Sequence, residues 1–431
     1  MTALILDWPA AAAAGSAQAG GKGAQLGRMA KLGLPVPPGF VISAAAAQGR
    51  QAGDALDPGL ASRLASALER YGWEHTPLAV RSSATAEDSA GASFAGIHDS
   101  VLNVTGLPAL CDAVRTVWDS LHSEHARAYR QRMQLDDSAV QMAVVVMPLL
   151  DARAAGIVFT ADPMTGRADQ IVIHANWGLG ESLVAGQAEG DEYRLQYDFR
   201  AHTVQPVARR IGRKTQQTVR AAGGGTQLLP TAAEEARRAV LTAAQAGALA
   251  LCAAAAAQAL DYGDPAYDIE WVWDGTRFWL VQARPITARP DYTYEALRAQ
   301  PVWWTRGNTV EVLPDPLAPI EWSNARAMVN GMLTAGYTLA GYAPLPGADR
   351  ASLHYGRIYL QASMLQWEAW DALGMPPEPI NRMIGGTQGC IAVPPAGMRR
   401  RLANLRRMLR YIGRALGLRK RAASALRDVR H

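Results

Sequence analysis

Cysteine is scarce in this chain. Its 431 residues include three, Cys111, Cys252 and Cys390. They lie far apart and match no zinc or dithiol spacing, which excludes a disulfide scaffold and a thiol-based metal module. Three scattered thiols fit a reducing cytoplasm, the expected compartment. No Lys or Arg precedes Lys22, and Asp7 falls in that segment, so a secretory signal is not expected. The Ala-rich runs read as too short or too polar to cross a bilayer. Both common glycine motifs for nucleotides are incomplete. Gly20-Gly21-Lys22-Gly23 has Ser16 where a Walker loop requires glycine, and Gly23 where it requires Ser or Thr. Gly178-Leu179-Gly180 has Leu183 at the third glycine of the dinucleotide fingerprint. The chain also has no internal repeat.

Hydrophobic residues make up 49% of the chain, which at this length allows two or three globular domains and a large core. Net charge is +5, but its distribution is uneven. Residues 399–431 hold twelve Lys/Arg and one acid, Asp428, so the other 398 residues sum to −6. The basic balance describes a tail, and it does not license a general affinity for nucleic acid.

The most informative stretch is 79–96. A short apolar entry, Leu78, Ala79 and Val80, leads to Arg81, then Ser82, Ser83 and Thr85, then Glu87, Asp88 and glycines. Dense N–H groups, hydroxyls and a guanidinium suit a loop over phosphates. A solvated Ser/Ala loop is the competing reading. Around it the pattern predicts a helix over 24–32 stopped at Gly33, and strands at 140–149, 157–159 and 171–173. His174 falls at the end of the last of these. A capping box at Thr231–Glu234 predicts a helix running to about Leu260. Strands 267–273 and 277–283 form a hairpin. The elements lack a regular βαβ rhythm, so the fold class is α+β.

The 79–96 stretch resembles the nucleotide-binding segment of phosphoenolpyruvate synthase, pyruvate phosphate dikinase and rifampicin phosphotransferase. Three further segments follow in family order: Gly20-Gly21-Lys22-Gly23 with Gly27; 156–163 followed by Gly178-Leu179-Gly180-Glu181; and 268–271 followed by Val281-Gln282-Ala283-Arg284-Pro285-Ile286-Thr287. The resemblance implies an ATP-grasp-like nucleotide-binding domain over 1–288, subdivided near 75 and 200. A linker follows at 289–305, then a partial, mainly helical acceptor-type domain at 306–398 of the rifampicin-phosphotransferase branch. A basic amphipathic helix spans 399–431. The implied ligands are ATP and Mg²⁺. Lys22, Arg81 and Arg284 fall on phosphates, flanked by Gly21, Gly23, Ser82, Ser83 and Thr85. Glu270 and Gln282 fall on Mg²⁺, Glu181 on ribose, and Met147 and Leu149 on adenine. Glu181 reads equally as a helix-start acid, and Asp162 before Pro163 as a turn former. Pro148 replaces a hinge residue that would carry an N–H.

If Glu270, Gln282 and Arg284 act together they share one face of the hairpin. Side chains alternate along a strand. A two-residue turn would pair Trp273 with Thr276 and separate them. An odd loop, Asp274-Gly275-Thr276, would pair Trp273 with Arg277, Glu270 with Leu280 and Asp268 with Gln282. That odd loop is the prediction, with Gly275 at positive φ.

The family passes its phosphoryl group through a histidine in a Gly-Gly…Thr/Ser-His-Ala motif, which none of the eight histidines matches, His98, His125 and His174 included. The expected partner is therefore a separate phosphohistidine carrier subunit. Phenylphosphate synthase resembles such a split arrangement. The rival readings are a truncated antibiotic phosphotransferase and a catalytically idle regulatory or scaffold subunit. The small-molecule acceptor stays open among pyruvate, a phenol and a macrolide-like hydroxyl. In the tail, Leu402, Leu405, Leu409, Ile412 and Leu416 recur at spacings of three and four among arginines. The tail can cover its own domain, dock an acidic partner, or meet anionic lipid or nucleic acid; the last two are less favoured.

Overall fold

A computed structural model describes residues 4–85, 100–132, 140–184, 186, 188–386 and 388–428. Glu87, Asp88 and His98 lie outside the described residues. Five strands form the first sheet: β1 (Ile5–Asp7), β2 (Phe40–Ile42), β3 (Leu78–Ala84), β4 (Ser100–Val104) and β5 (Met142–Pro148), in the order β1-β2-β5-β3-β4. One face packs on α2 (Pro58–Tyr71) and α3 (Leu107–Ser120), burying Leu64, Val80, Val114 and Val144. A short helix, α4 (Glu124–Arg132), follows α3. The other face packs on α1 (Trp8–Lys31), through Leu26, Met29, Val41 and Val145.

Helix α1 begins where the Asp7 carboxylate accepts the Ala10 N–H at 2.9 Å. It breaks at Gly15 and Gly20, both at φ +66°. The expected helix over 24–32 is its final stretch, and Gly33 at φ +74° lies just beyond its end. Gly20 is required twice over. Its φ is left-handed, and a Cβ there would sit 2.0 Å from the Ser83 carbonyl oxygen.

The chain passes to the second sheet at 149–153. Subdivisions near 75 and 200 do not coincide with this passage. The second sheet contains β6 (Ala154–Phe159), β7 (Gln170–Trp177), β8 (Asp191–Asp198) and β9 (Thr203–Arg210). A separate hairpin follows, β10 (Gln216–Arg220) with β11 (Thr226–Pro230), and then β12 (Tyr267–Trp273) and β13 (Phe278–Pro285) complete the sheet in the order β13-β12-β6-β7-β8-β9. Strand pairings in these sheets are antiparallel. Strand β7 runs four residues beyond Ile173, so His174 lies inside it rather than at its end. Two short helices, α5 (Glu181–Val184) and α6 (Ala233–Arg237), precede the long α7 (Ala243–Leu260).

Helix α7 corrects two expectations. The cap is not Thr231. Ala232 precedes the five-residue α6, and Thr242 caps α7, with its Oγ1 accepting the Gln245 N–H at 3.2 Å. Between the helices the Val240 N–H donates to Asp191 at 2.7 Å and the Leu241 N–H to the Tyr193 hydroxyl at 2.8 Å. These bonds to β8 draw the backbone out of helical geometry. Helix α7, with 18 residues, is also long and apolar enough to cross a membrane. Its Leu249, Ala250, Ala253 and Ala257 are nevertheless buried in the core of the second sheet.

The C-terminal part combines β14 (Trp304–Thr305), β15 (Ala351–His354) and β16 (Arg357–Gln361), in the order β14-β16-β15. Around this sheet lie α8 (Thr309–Val312), α9 (Pro319–Leu339), α10 (Ala362–Leu373), α11 (Pro377–Met383) and α12 (Met398–Asp428). The stretch expected as a linker, 289–305, packs on this part. Leu297 is buried with Trp367, Trp370 and Ile391, and β14 lies within it.

Asp191 organises the far end of the second sheet. Its carboxylate, fully buried, pairs with the equally buried Lys214 ammonium and accepts the Gly212 N–H at 3.0 Å and the Val240 N–H. Removing one member of such a pair leaves the other charged and dry. Asp191→Ala is expected to cost about 3–5 kcal/mol in urea unfolding. A loss within experimental error would show that Lys214 finds another partner.

Candidate functional site

A cleft of about 470 Å³ lies between the two sheets. Of the expected site residues, Lys22, Arg81, Met147, Leu149, Glu181, Glu270, Gln282 and Arg284 line it. They come from α1, β3, the end of β5, the start of α5, β12 and β13.

Strand alternation selects Arg81. Ala79, Arg81 and Ser83 share one face of β3, while Leu78, Val80 and Ala84 point into the core against α2 and α3. Ser82 shares that second face and is buried, away from the cleft. The expectation that it lines the site is corrected by this parity. The Ser83 hydroxyl donates to the Ala19 carbonyl at 2.8 Å and accepts the Gly23 N–H at 2.9 Å. It latches the glycine segment to β3 and so orients Lys22. Gly23 has a second constraint, since a Cβ would lie 2.9 Å from Val41. Gly21 is buried beside it. Thr85 exchanges bonds with Gln141, at 2.9 Å through its N–H and 3.0 Å through Oγ1. Gly21, Gly23, Ser83 and Thr85 therefore support the cleft without lining it.

The hairpin reaches the expected face by a different route. The strands are joined by four residues, 274–277, an even number, and Trp273 pairs with Phe278. Gly275 has the expected positive φ, +101°. A β-bulge at Val281 then shifts the register, so Glu270 pairs with Gln282 and Asp268 with Arg284. The bulge reconciles two burial demands. Trp271 and Leu280 stay in the core at 1% and 0% exposure, and Glu270, Gln282 and Arg284 stay on the cleft face. The odd loop and its pairings of Glu270 with Leu280 and Asp268 with Gln282 are not observed.

Arg81 bridges the walls. Its Nη2 donates to Glu270 Oε2 at 2.8 Å and to Gln282 Oε1 at 2.9 Å, and its Nη1 to the Val281 carbonyl at 3.1 Å. The last acceptor is the bulge residue. Arg284 approaches Glu270 at 3.7 Å and Asp268 at 3.6 Å. Burial alone would raise the Glu270 carboxyl. Arg81, then Arg284 and Lys22, outweigh it and hold the group below its ordinary range. Burial raises the Asp268 carboxyl, which Arg284 opposes and Glu270 reinforces. Asp268 Oδ1 is buried without a hydrogen-bond partner. The ionised Glu270 carboxylate and the Gln282 amide oxygen, both in the cleft lining, are hard-oxygen donors of the kind that suits a divalent ion such as Mg²⁺. Sequence reasoning missed the Val281 carbonyl and Asp268 Oδ1. The first depends on a bulge that no local pattern announces.

The remaining lining is largely apolar, with Leu102, Leu150, Leu179 and Val272 beside Met147 and Leu149. Cations grouped around Glu270, with Glu181 at the rim and apolar walls between, suit a ligand with a phosphate tail and a flat, weakly polar body. The Leu149 N–H donates to the Pro77 carbonyl at 2.8 Å, and Pro148 has none to give. Glu181 begins α5, exposed, after Gly178 at φ +69°. Asp162 is a turn former, accepting the Met164 N–H at 2.9 Å and an Arg194 bond at 2.9 Å. His174 lies in β7, where burial lowers its pKa.

Glu270→Gln is expected to lower stability at pH 7 by about 1.5–3 kcal/mol, the scale of a hydrogen bond to a charged group. The folded carboxyl titrates below its unfolded value of about 4.3, so this contribution is complete above that value and is lost as pH falls through the folded one. Denaturation curves of the two proteins should therefore converge in acid. A gap that persists unchanged at pH 3 would remove the ionic account.

The chain matches the family described as pyruvate phosphate dikinase, AMP/ATP-binding domain, over residues 50–300. It is 37% identical over 320 residues to a rifampicin phosphotransferase of Streptomyces sp, covering 66% of this chain and 36% of that protein. It is 36% identical over 214 residues to a probable phosphoenolpyruvate synthase of Methanothermobacter thermautotrophicus, covering 41% of this chain and 31% of that one. A rifampicin phosphotransferase of Bacillus subtilis is 31% identical over 257 residues. The chain thus spans about a third of the length of the curated relatives it matches. With more than half of its residues inside the matched region, the chain belongs to the pyruvate phosphate dikinase AMP/ATP-binding domain family.

Proposed function

We propose that this chain binds Mg-ATP in the cleft and transfers a phosphoryl group to a histidine of a separate carrier protein, which feeds a small-molecule acceptor. The observation that carries the reading is the convergence of Lys22, Arg81 and Arg284 on the Glu270–Gln282 pair. Phosphoryl transfer asks the protein chiefly for position and for positive charge around the moving group. Lys22, Arg81 and Arg284 supply that charge. Glu270 and Gln282, with Asp268 beside them, are the residues that would hold Mg²⁺, which when bound neutralises phosphate oxygens. Met147 and Leu149 flank the base, and Glu181 is assigned to the ribose. Ser83, Gly20 and Gly23 fix the Lys22 segment against β3.

A histidine brought to the cleft from outside its lining is the acceptor in this reading, since among the described residues no histidine borders it. The Streptomyces relative supports a second reading, part of an antibiotic phosphotransferase that uses the same cleft.

The test is incubation with Mg-ATP labelled at the β or γ phosphate, with and without the products of neighbouring genes. The split reading expects acid-labile label on a partner histidine, reduced at least 100-fold by Arg81→Ala. Label passing directly to a small molecule with this chain alone would overturn it.

A further inference from the structure

Helix α12 is docked by its polar face, with its leucines turned outward. Arg400 pairs with Asp371 at 3.3 Å and stacks on Trp370 at 4.1 Å. Arg407 donates to the Asp371 carbonyl at 3.0 Å, and Arg414 to the Leu339 carbonyl at 3.1 Å. Asn404, between them, is 6% exposed. These positions, 400, 404, 407 and 414, are spaced by four, three and seven and so lie along one face. On the other side, Met398, Leu402, Leu405, Leu409, Ile412 and Leu416 recur at the same spacings and are 47–73% exposed. That is a seam of a and d positions almost three heptads long, narrower than the broad apolar face of a globular or lipid-surface helix.

We infer that this seam is the docking surface for an acidic amphipathic helix of a partner polypeptide. The flanking e and g positions decide the occupant. Arg399, Arg401 and Arg406 border the seam and are exposed. A parallel second copy would set arginine against arginine over the first half of the seam, the second half being flanked by Met408, Gly413 and Ala415, whereas a helix with Glu or Asp at e and g is complementary to that half. The excess of +11 over 399–431 adds long-range attraction for an acidic partner. A membrane surface fits less well. Helices that lie in that interface carry aromatic anchors, and the single aromatic of α12, Tyr411, is turned toward Gly336 of α9. The surface stands apart from the nucleotide cleft, and its test uses no nucleotide.

The probe is a synthetic helix of about four heptads with Leu at a and d and Glu at e and g, titrated onto the full chain and followed by anisotropy. Two controls are a version with Lys at e and g, and a Glu-rich version with Ser at a and d. The expected result is binding of the first peptide alone, weakened by salt. Leu405→Ala with Leu409→Ala, which keeps every charge and removes only exposed side chains, should reduce affinity at least tenfold without lowering the melting temperature. Equal affinity in that variant would overturn the proposal, because attraction would then be charge alone. So would a dimer in sedimentation that the variant dissociates, which assigns the seam to a second copy. Seam-dependent capture by phosphatidylcholine–phosphatidylglycerol vesicles, with no peptide binding, would assign it to lipid and equally overturn it.

Discussion

One guanidinium joins the two halves of the cleft. Arg81 belongs to the first sheet, and its three acceptors, Glu270, Gln282 and the Val281 carbonyl, belong to the second, about 190–200 residues later in the chain. Charge-assisted bonds of this kind are short and directional, so they fix both the distance and the orientation of the facing walls. They also keep Glu270 ionised in a place where burial would otherwise favour its protonated form. The same contact thus holds the architecture together and stores the charge pattern that a triphosphate would meet. Lys22 extends that pattern from α1 on the first sheet and Arg284 from β13 of the second, so both walls contribute charge.

Much of this was legible because its causes are local. The glycine segment, the apolar entry to Arg81 and the Asp-Gly turn are short patterns with a direct steric meaning. The features that escaped reading are set at long range. The bulge at Val281 exists because Trp271 and Leu280 must be buried while Glu270 and Gln282 face the cleft, and no window of sequence holds both demands. Thr231 and Thr242 look alike as caps, each with a Glu or Gln three residues on. The choice falls to Thr242 because Asp191 and Tyr193 of a distant strand hold the intervening backbone. Ser82 and Ser83 are adjacent and chemically equal, yet strand parity buries one in the helix-packed core and gives the other a latch to the glycine segment.

The tail gives the same lesson about faces. Its charge and its leucine spacing were plain in the sequence. Which face would dock was not, because that depends on Trp370, Asp371 and Tyr342 presenting aromatic rings and oxygens to the arginines. An amphipathic helix is ordinarily read leucine-inward; here the neighbouring surface reverses it.

The central claim is that Lys22, Arg81, Arg284 and Glu270 grip one nucleotide. A crystal structure with Mg²⁺ and a non-hydrolysable ATP analogue tests it most directly. The account predicts phosphate oxygens within hydrogen-bond distance of Arg81 and Arg284, with the ion on Glu270 and the base against Met147 and Leu149. A nucleotide seated elsewhere, with the Arg81 bonds to Glu270 and Gln282 unchanged, would contradict it.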